Sequence, residues 1–448
     1  MEDIGRTTIR RVMGRLVPLL GLIYMVAYID RQNVAYAKLQ MVDALGLSEA
    51  AYGLGAGLFF LGYFLFEVPS NLLLERVGAR AWFARIMASW GAVTVLLAFP
   101  RSATAFYVLR FLLGIAEAGF FPGVLYVLTL WFPQEHRARA VGAFMVSSAI
   151  ANAIGAAIGG LLLDADGTLG LAGWQWVFIA TGVPAILLAP VVLVMLPRGP
   201  NEARWLTGDQ KAWLAKALER SAEGVAEGGS ALRTLADPRV LLLCLVYIGF
   251  PLAAYGLSYW LPTIVAGFGV SNTVNGLLNI IPWALVAVAL WAVPRHAARY
   301  ENPAWHAVGP ALLGAMFLVL GVVVPGATLK FAALSIAAAA IFSGQPVFWT
   351  LPPRFLTGAR AAAGFAAINS VGNLGGLIAQ TIVPAIHDWT GSNLAPMLFL
   401  ALCLAMAGLG VLAIERRLPR ATHVSRDGLT PAARRSAAAD EAPDPTPS

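Results

Sequence analysis

The stretch Arg110-Phe-Leu-Leu-Gly-Ile-Ala-Glu-Ala-Gly-Phe-Phe-Pro122 places an arginine and a glutamate in a segment that is otherwise apolar enough for hydrocarbon. Charged side chains are costly inside a membrane and usually have a function there. Seven residues make nearly two helical turns, so we expect Arg110 and Glu117 on one helix face, roughly 10 Å apart, with Gly114 leaving space between them. We interpret that face as part of a binding site. The alternative is that the two charges only pair with neighbours and fix helix packing.

The composition of the whole chain indicates a membrane protein. Charged residues make up 12% of its 448 residues and hydrophobic residues 58%, whereas soluble domains carry about 25% charged residues. Runs of about twenty apolar residues are long enough to cross a bilayer as helices. We count twelve of them, near 16–37, 52–75, 82–100, 105–129, 139–163, 173–196, 240–266, 274–294, 305–324, 330–352, 361–386 and 393–415. The runs are continuously apolar, which argues against the alternating strands of a membrane barrel. The sequence therefore predicts an all-α membrane protein with twelve transmembrane helices.

The positions of the basic residues predict the orientation. The formal net charge is +7, but only Lys38, Arg101 and Lys330 fall in predicted outward loops. By the positive-inside rule, both termini are expected in the cytoplasm of a bacterial-type inner membrane, as an even number of spans requires. The excess charge is thus explained by topology rather than by nucleic-acid binding.

The chain divides into five predicted segments. They are a cytoplasmic basic arm (1–15), an N-terminal six-helix half (16–196), a cytoplasmic linker with one helix near 208–222 (197–239), a C-terminal six-helix half (240–416) and a disordered cytoplasmic tail (417–448). The run from Arg139 to Ser148 recurs approximately from Arg360 to Ser370, which favours two pseudo-symmetric halves around a midplane site. The linker is too short to hold an enzyme domain.

Charged residues of the first half form the candidate site. The first span ends with Asp30 and Arg31, and Arg31 and Arg110 are expected at about the same depth. Two guanidiniums facing one cavity suit a carboxylate or phosphate. Tyr63 could offer a hydroxyl, although packing is the commoner role for an aromatic side chain in a span. For Glu67 we favour a structural hydrogen bond over a proton-carrying role.

The second half supplies amides and aromatics instead. They are Tyr255, Trp260, Asn279, Gln345, Phe348, Trp349, Asn369, Asn373 and Gln380. Asn369 and Asn373 are four residues apart on one helical face, where they could bind a hydroxyl or carbonyl group, or could hydrogen-bond between helices. The two cysteines, Cys244 and Cys403, lack the spacing of a metal site or disulfide framework. We expect no metal and no cofactor.

Several motifs together resemble the anion:cation symporter family of the major facilitator superfamily. They are Tyr28-Ile-Asp30-Arg31-Gln-Asn33, Gly62-Tyr63 through Glu67-Val-Pro69-Ser-Asn71, Arg110 through Gly119-Phe-Phe-Pro122-Gly, Trp131-Phe-Pro133 and Gly173-Trp174-Gln-Trp176. Two departures are Thr181-Gly-Val-Pro184, where members often have Glu-Gly-Leu-Pro, and Arg295-His-Ala-Ala-Arg299, which lacks the usual Ser-Asp-Arg.

The resemblance implies a twelve-helix transporter of small organic anions, usually driven by protons. It implies that Arg31 and Arg110 bind the anion, that Asp30 and Glu117 are the proton-linked carboxylates, that Tyr63 contacts substrate, and that a polar site lies near Asn369 and Asn373. Trp349 is added as a further candidate for substrate binding.

Together these features predict a proton-coupled importer of a small organic carboxylate, working by alternating access as a monomer. In this hypothesis a proton on Glu117 frees Arg110 for the substrate. The alternatives are an anion exchanger without proton coupling and an anion-binding membrane sensor. An intramembrane enzyme is disfavoured because no span carries a recognisable catalytic arrangement.

Overall fold

The structure is a computed structural model that describes residues 2–223, 236–297, 299–300, 304–356 and 358–416. Within these residues the secondary structure is helical, without strands. The helices are α1 (Glu2–Ala44), α2 (Glu49–Val77), α3 (Ala79–Leu96), α4 (Ala103–Glu117), α5 (Phe120–Trp131), α6 (Gln134–Leu163), α7 (Gly173–Met195), α8 (Gly208–Glu223), α9 (Pro238–Ala266), α10 (Asn272–Leu278), α11 (Ile280–Ala297), α12 (Trp305–Val323), α13 (Ala327–Phe348), α14 (Gly358–Thr390) and α15 (Leu394–Glu415). The predicted all-α fold is confirmed.

Eleven helical segments of the described chain are long and apolar enough to cross a membrane. The pairs α4–α5 and α10–α11 each count as one such segment. One predicted span, 82–100, is not among these eleven segments. It corresponds to α3, which has 18 residues and carries Arg80 and Arg85 near its start. Those two charges lower its hydropathy, while its middle is buried at Phe83 and Trp90.

The predicted fourth span is interrupted directly after Glu117. Helix α4 ends there, and Gly119 adopts φ +81° before α5 begins at Phe120. A positive φ is accessible to glycine at little cost. The Ser70 hydroxyl donates to the Ala118 carbonyl oxygen at 2.6 Å and so satisfies a backbone group that the break leaves free. The single helix expected across Arg110 to Pro122 is therefore wrong beyond Glu117, which lies at a helix end.

The linker helix α8 lies against the beginning of α1. The Arg11 guanidinium donates to the Gln210 side chain at 3.2 Å, and the Trp213 ring lies against Gly5. We call this side of the bundle the linker end and the opposite side the distal end. Helix α1 starts at Glu2, so residues 2–15 of the predicted basic arm are helical and continue into the first predicted span. Part of the predicted linker, 224–235, and the predicted tail, 417–448, lie outside the described residues.

The two halves, α1 to α7 and α9 to α15, contact each other mainly through four pairs of helices. Helix α2 packs along α14, α6 packs on α10 and α11, and α1 crosses α9. Glycines allow the close approaches: a β-carbon at Gly160 would overlap the Asn272 carbonyl oxygen, and one at Gly53 would overlap the Gln380 carbonyl oxygen. These contacts bring residues of the second half against the charged face of the first.

Candidate functional site

An ion pair between Arg31 and Glu117 is at the centre of the bundle. The Arg31 Nε donates to Glu117 Oε1 at 2.7 Å, and Nη2 lies 2.6 Å from the same oxygen. Glu117 is fully buried, and its second oxygen, Oε2, has no hydrogen-bond partner among the described residues. Glu117 therefore keeps one free acceptor position beside a guanidinium.

Arg110 lies in the same region but without a carboxylate partner among the described residues. Its Nη2 donates to the Ala56 carbonyl oxygen at 3.1 Å, and its buried Nε has no partner in the described chain. The side chain is 3% exposed. The Phe59 ring lies between the two cations, with its centroid 5.1 Å from the Arg110 Cζ and 5.7 Å from the Arg31 Cζ. A buried cation with an unused donor is suited to binding an anion.

Asp30 is buried in a network of neutral hydrogen bonds. Its Oδ2 accepts from the Thr94 hydroxyl at 3.1 Å, and its Oδ1 accepts from the Asn33 amide at 3.0 Å. The same amide lies 3.0 Å from the Thr181 hydroxyl oxygen. Thr181 thus completes the Asp30 network at one of the positions where the sequence departs from the family pattern.

A narrow cavity of about 20 Å³, room for about one water molecule, connects these groups. Its lining residues come from both halves and are Asp30, Arg31, Phe59, Phe60, Arg110, Leu113, Glu117, Tyr255 and Gln380. Two guanidiniums and two carboxylates share this space with aromatic rings. These groups are suited to a small anion once the halves move apart and the cavity widens, and protonation of a carboxylate can compensate the anion's charge.

The comparisons with known proteins agree with this arrangement. Residues 20–380 match the Major Facilitator Superfamily. The chain is 45% identical over 405 residues to a quinolone resistance transporter of Acinetobacter baumannii, with 90% of this chain and 93% of that protein covered. It is 42% identical over 424 residues to a putative tartrate transporter of Agrobacterium vitis, with 94% of each covered.

The chain belongs to the major facilitator superfamily. A solved structure of a bacterial homologue of the human lysosomal transporter Spinster, inward-facing and unoccupied, has the same fold, with a TM-score of 0.72 at 18% identity over 90% of this chain and 97% of that one. The family predicted from the sequence motifs is confirmed, and the tartrate transporter relatives support its anion:cation symporter type. The protein is a multi-pass membrane transporter and not an enzyme.

The predicted site residues of this transporter fall into two groups, those that line the cavity and those that lie beside it. Arg31, Arg110, Asp30 and Glu117 line the cavity. The predicted partner of Glu117 was Arg110, but the ion pair in the structure is with Arg31. The sequence placed Glu117 relative to its own helix only, whereas the rotation of α1 against α4 brings the Arg31 side chain to it.

The remaining four candidates lie beside the cavity rather than in its lining. The Tyr63 ring centroid is 5.4 Å from the Arg31 Cζ, and the Trp349 indole donates to the Tyr247 hydroxyl at 3.1 Å. Asn373 is half-buried on the same helix as Asn369. The Asn369 amide donates to Glu67 at 3.3 Å, so it makes the interhelical hydrogen bond that was its alternative role.

Glu67 joins the two halves on the linker side of the cavity. Besides the Asn369 amide, it accepts a hydrogen bond from the Ser370 hydroxyl. Both donors are on α14, while Glu67 is on α2 and only 4% exposed. The structural hydrogen bond predicted for Glu67 is confirmed.

Tyr255 and Gln380 line the cavity from the second half; the sequence named them among its amides and aromatics but not among the predicted site residues. The Arg31 Nη1 donates to the Tyr255 hydroxyl at 3.4 Å, and Gln380 is 5% exposed with its side-chain oxygen unpartnered among the described residues. Gln380 is seven residues after Asn373, which is nearly two turns along the same face of α14. Continuing the amide periodicity along that helix would have found it.

Lys38 was assigned to an outward loop, and the structure corrects this. It lies inside α1, 2% exposed, at the distal end. Its Nζ is 2.6 Å from Glu49, 3.1 Å from the Thr263 hydroxyl and 3.7 Å from the Trp260 ring centroid. Glu49 belongs to the first half and the other two to the second, so this lysine joins the halves through an ion pair, a hydrogen bond and a cation–π contact.

Proposed function

We propose that the chain is a proton-coupled symporter that imports a small organic carboxylate by alternating access across a bacterial inner membrane, with both termini cytoplasmic. The observation that carries the proposal is the Arg31–Glu117 ion pair in a cavity that Arg110 also lines. The tartrate transporters among the relatives support an organic acid as substrate.

The ion pair supplies a physical link between proton and anion. While Glu117 is ionised, its oxygen occupies the Nε and Nη2 donors of Arg31. Protonation of Glu117 weakens that pair and releases the guanidinium fork for a substrate carboxylate, which guanidinium groups bind in bidentate geometry. Arg110 offers its free Nε to the same anion. Asp30, held by neutral donors, is proposed as the second carboxylate linked to protonation.

The substrate contacts proposed outside the cavity lining follow from the same geometry. The Tyr63 ring lies close to Arg31, and Asn369 and Asn373 lie on α14, the helix that also carries the lining residue Gln380. Trp349 directly follows α13 and contacts Tyr247. A substrate that extends beyond the two arginines towards the linker end would reach them. We therefore propose these four as auxiliary substrate contacts.

Uptake into proteoliposomes tests the function. A panel of labelled carboxylates, including tartrate and aromatic acids, is offered with and without an inward proton gradient. Accumulation only with the gradient is the expected result. Exchange that ignores the gradient would favour the anion exchanger, and ligand binding without flux would favour the membrane sensor.

The Glu117→Gln variant assigns the coupling. Glutamine keeps the shape of the side chain but cannot ionise, so gradient-driven accumulation should be lost while counterflow of labelled against unlabelled anion continues. Glu135→Gln, on an exposed carboxylate of α6, is the matched control. Retained gradient-driven accumulation in Glu117→Gln would remove Glu117 from the coupling mechanism.

A further inference from the structure

We infer that Gln380 is a specificity-determining residue that recognises a hydroxyl group on the carboxylate substrate. This inference rests on the proposed function and refines it, since it names a chemical feature of the anion and the side chain that reads it. The starting observation is that the Gln380 side-chain oxygen is buried in the cavity lining without a hydrogen-bond partner among the described residues.

A buried amide oxygen without a partner is unfavourable. Buried polar groups are nearly always hydrogen-bonded, and leaving one unsatisfied lowers stability. Gln380 is 5% exposed and faces a cavity with room for about one water molecule. A ligand entering the widened cavity would displace such a water and offer its own hydrogen-bonding group to Gln380.

The position of Gln380 is fixed by the packing of α14 on α2. The Gln380 carbonyl oxygen lies directly against Gly53, where a β-carbon would overlap it, and the ring of Phe60 lies equally close to Gly376 one turn earlier. These contacts leave the backbone of α14 little freedom at this position. The backbone that carries Gln380 is therefore held beside the cavity, which the side chain lines.

The chemistry of the cavity walls then indicates what Gln380 recognises. The four charged lining residues belong to the first half, and Arg31 and Arg110 are suited to the substrate carboxylate. Gln380 is on the opposite wall and carries no charge. A primary amide has one acceptor oxygen and two donor hydrogens, which complement a hydroxyl group that is itself a donor and an acceptor.

A site built to hydrogen-bond a hydroxyl rejects the analogue that lacks it, because the protein group is then left unpaired. Gln380 would thus make the transporter prefer hydroxy acids over the corresponding acids without the hydroxyl. Arg31 and Arg110, by contrast, would bind both.

The test uses matched pairs of labelled acids, tartrate with succinate and mandelate with phenylacetate, in wild-type proteoliposomes under a proton gradient. Gln380→Met keeps the length of the side chain and removes its hydrogen bonds. We expect the wild type to favour the hydroxy acid of the transported pair. Gln380→Met should raise the KM for that acid about tenfold or more, as the loss of one buried hydrogen bond implies, with little change for its partner.

Thr381→Val is the control on the same helix, because the Thr381 hydroxyl donates to the Leu377 carbonyl oxygen of α14 itself. It should leave the preference intact. If Gln380→Met folds poorly, Gln380→Ala provides a second variant. An equal loss of uptake for both members of a pair, or a wild type without a preference, would overturn the role of Gln380.

Ligand-induced thermal stabilisation of the purified protein separates this inference from the proposed transport. If the wild type takes up neither member of either pair, the symport proposal fails. The role proposed for Gln380 is still supported if the hydroxy acid raises the melting temperature of the wild type more than its partner acid does and Gln380→Met abolishes that difference. The role is contradicted if the wild type and Gln380→Met respond alike.

Discussion

Arg31 contacts charged, polar and aromatic side chains in and beside the cavity at the same time. Its guanidinium contacts Glu117, the Tyr255 hydroxyl and the rings of Tyr28, Phe59 and Tyr63. These partners use its planar shape and its several donors at once. A lysine would supply the charge but neither the fork nor the flat face.

Arg31→Lys should therefore lower kcat/KM for carboxylate uptake by about tenfold or more, although the charge is kept. Initial uptake rates, normalised to the amount of reconstituted protein, measure the effect. Arg101→Lys, on an exposed side chain before α4, is the control and should transport normally. Wild-type rates in Arg31→Lys would show that charge alone suffices at this position.

Gly114 has a packing role that differs from the space-leaving role predicted for it. A β-carbon there would overlap the Phe59 carbonyl oxygen, so glycine allows α4 to approach α2. Gly114→Ala should destabilise the protein by about 1–3 kcal/mol through overpacking and lower its melting temperature in detergent. Gly142→Ala is the control, because a β-carbon at Gly142 meets no atom within 4 Å. Equal melting temperatures for the two variants would contradict this account of α2–α4 packing.

The residues of the cavity were predictable from the sequence to different degrees. Arg31, Arg110, Asp30 and Glu117 stand out because charges in apolar spans are rare. Their pairing was not predictable, since it depends on how α1 and α4 rotate against each other. Tyr255 is an ordinary residue type for a membrane helix, and only tertiary packing shows that it lines the cavity, whereas Gln380 continues the amide periodicity of α14.

At the scale of helices, α6 and α10 are joined at the distal end by Asp164. Its carboxylate accepts hydrogen bonds from the Thr273 hydroxyl at 2.6 Å, the Thr273 amide at 2.9 Å and the Asn272 side chain at 2.9 Å. The hydrogen bonds from Thr273 lower the pKa of Asp164 below its usual range. Asp164 belongs to the first half and its partners to the second, so this contact holds the distal ends together.

Asp164→Ala should separate the distal ends in a larger fraction of molecules. Spin labels at the exposed positions Leu169 and Trp389, one in each half, report the distance between them. We expect a longer-distance population in Asp164→Ala. Asp166→Ala is the control, since Asp166 accepts from the Gly173 amide within its own half. An unchanged distance distribution in Asp164→Ala would contradict the role of this contact.

The same contact predicts a pH dependence. Because the pKa of Asp164 is lowered when the halves are joined, its hydrogen bonds stabilise the joined state above the usual pKa of an aspartate. That stabilisation is lost as the pH falls through the lowered pKa. The longer-distance population of the wild type should therefore grow on acidification, with a smaller change in Asp164→Ala.

The break between α4 and α5 was the main error in predicting the helices. The run 105–129 is apolar throughout apart from Arg110 and Glu117, and its length favoured one helix. Pro122 cannot bond the Ala118 carbonyl four residues before it, so together with Gly119 it was a sign of a break that was not used. The left-handed conformation of Gly119 and the hydrogen bond from Ser70 produce the break. Both depend on the neighbouring helix α2.

For the whole molecule, the described structure joins the halves at the distal end through Asp164, through Lys38 and through Asp388, whose carboxylate accepts from the Ala50 amide at 2.8 Å. Alternating access requires these contacts to separate in each transport cycle. The fold class and the two halves were predictable from composition and periodicity. Which residues join the halves was not, because contacts between distant helices decide it.

A disulfide across the distal end should stop transport. Asp164→Cys and Thr273→Cys place thiols at two positions now joined by hydrogen bonds, in a background with Cys244 and Cys403 replaced by alanine. Oxidation is expected to abolish uptake and reduction to restore it, while each single cysteine variant is unaffected by oxidant. Full uptake by completely cross-linked protein would contradict distal opening.

Proton movement that accompanies the anion tests the central claim most directly. Wild-type proteoliposomes containing a pH-sensitive dye receive tartrate or another transported carboxylate, without an imposed gradient, and the internal pH is recorded with uptake. The account predicts that the interior acidifies as the anion enters and that Glu117→Gln removes the acidification. Anion uptake by the wild type with no change in internal pH would contradict it.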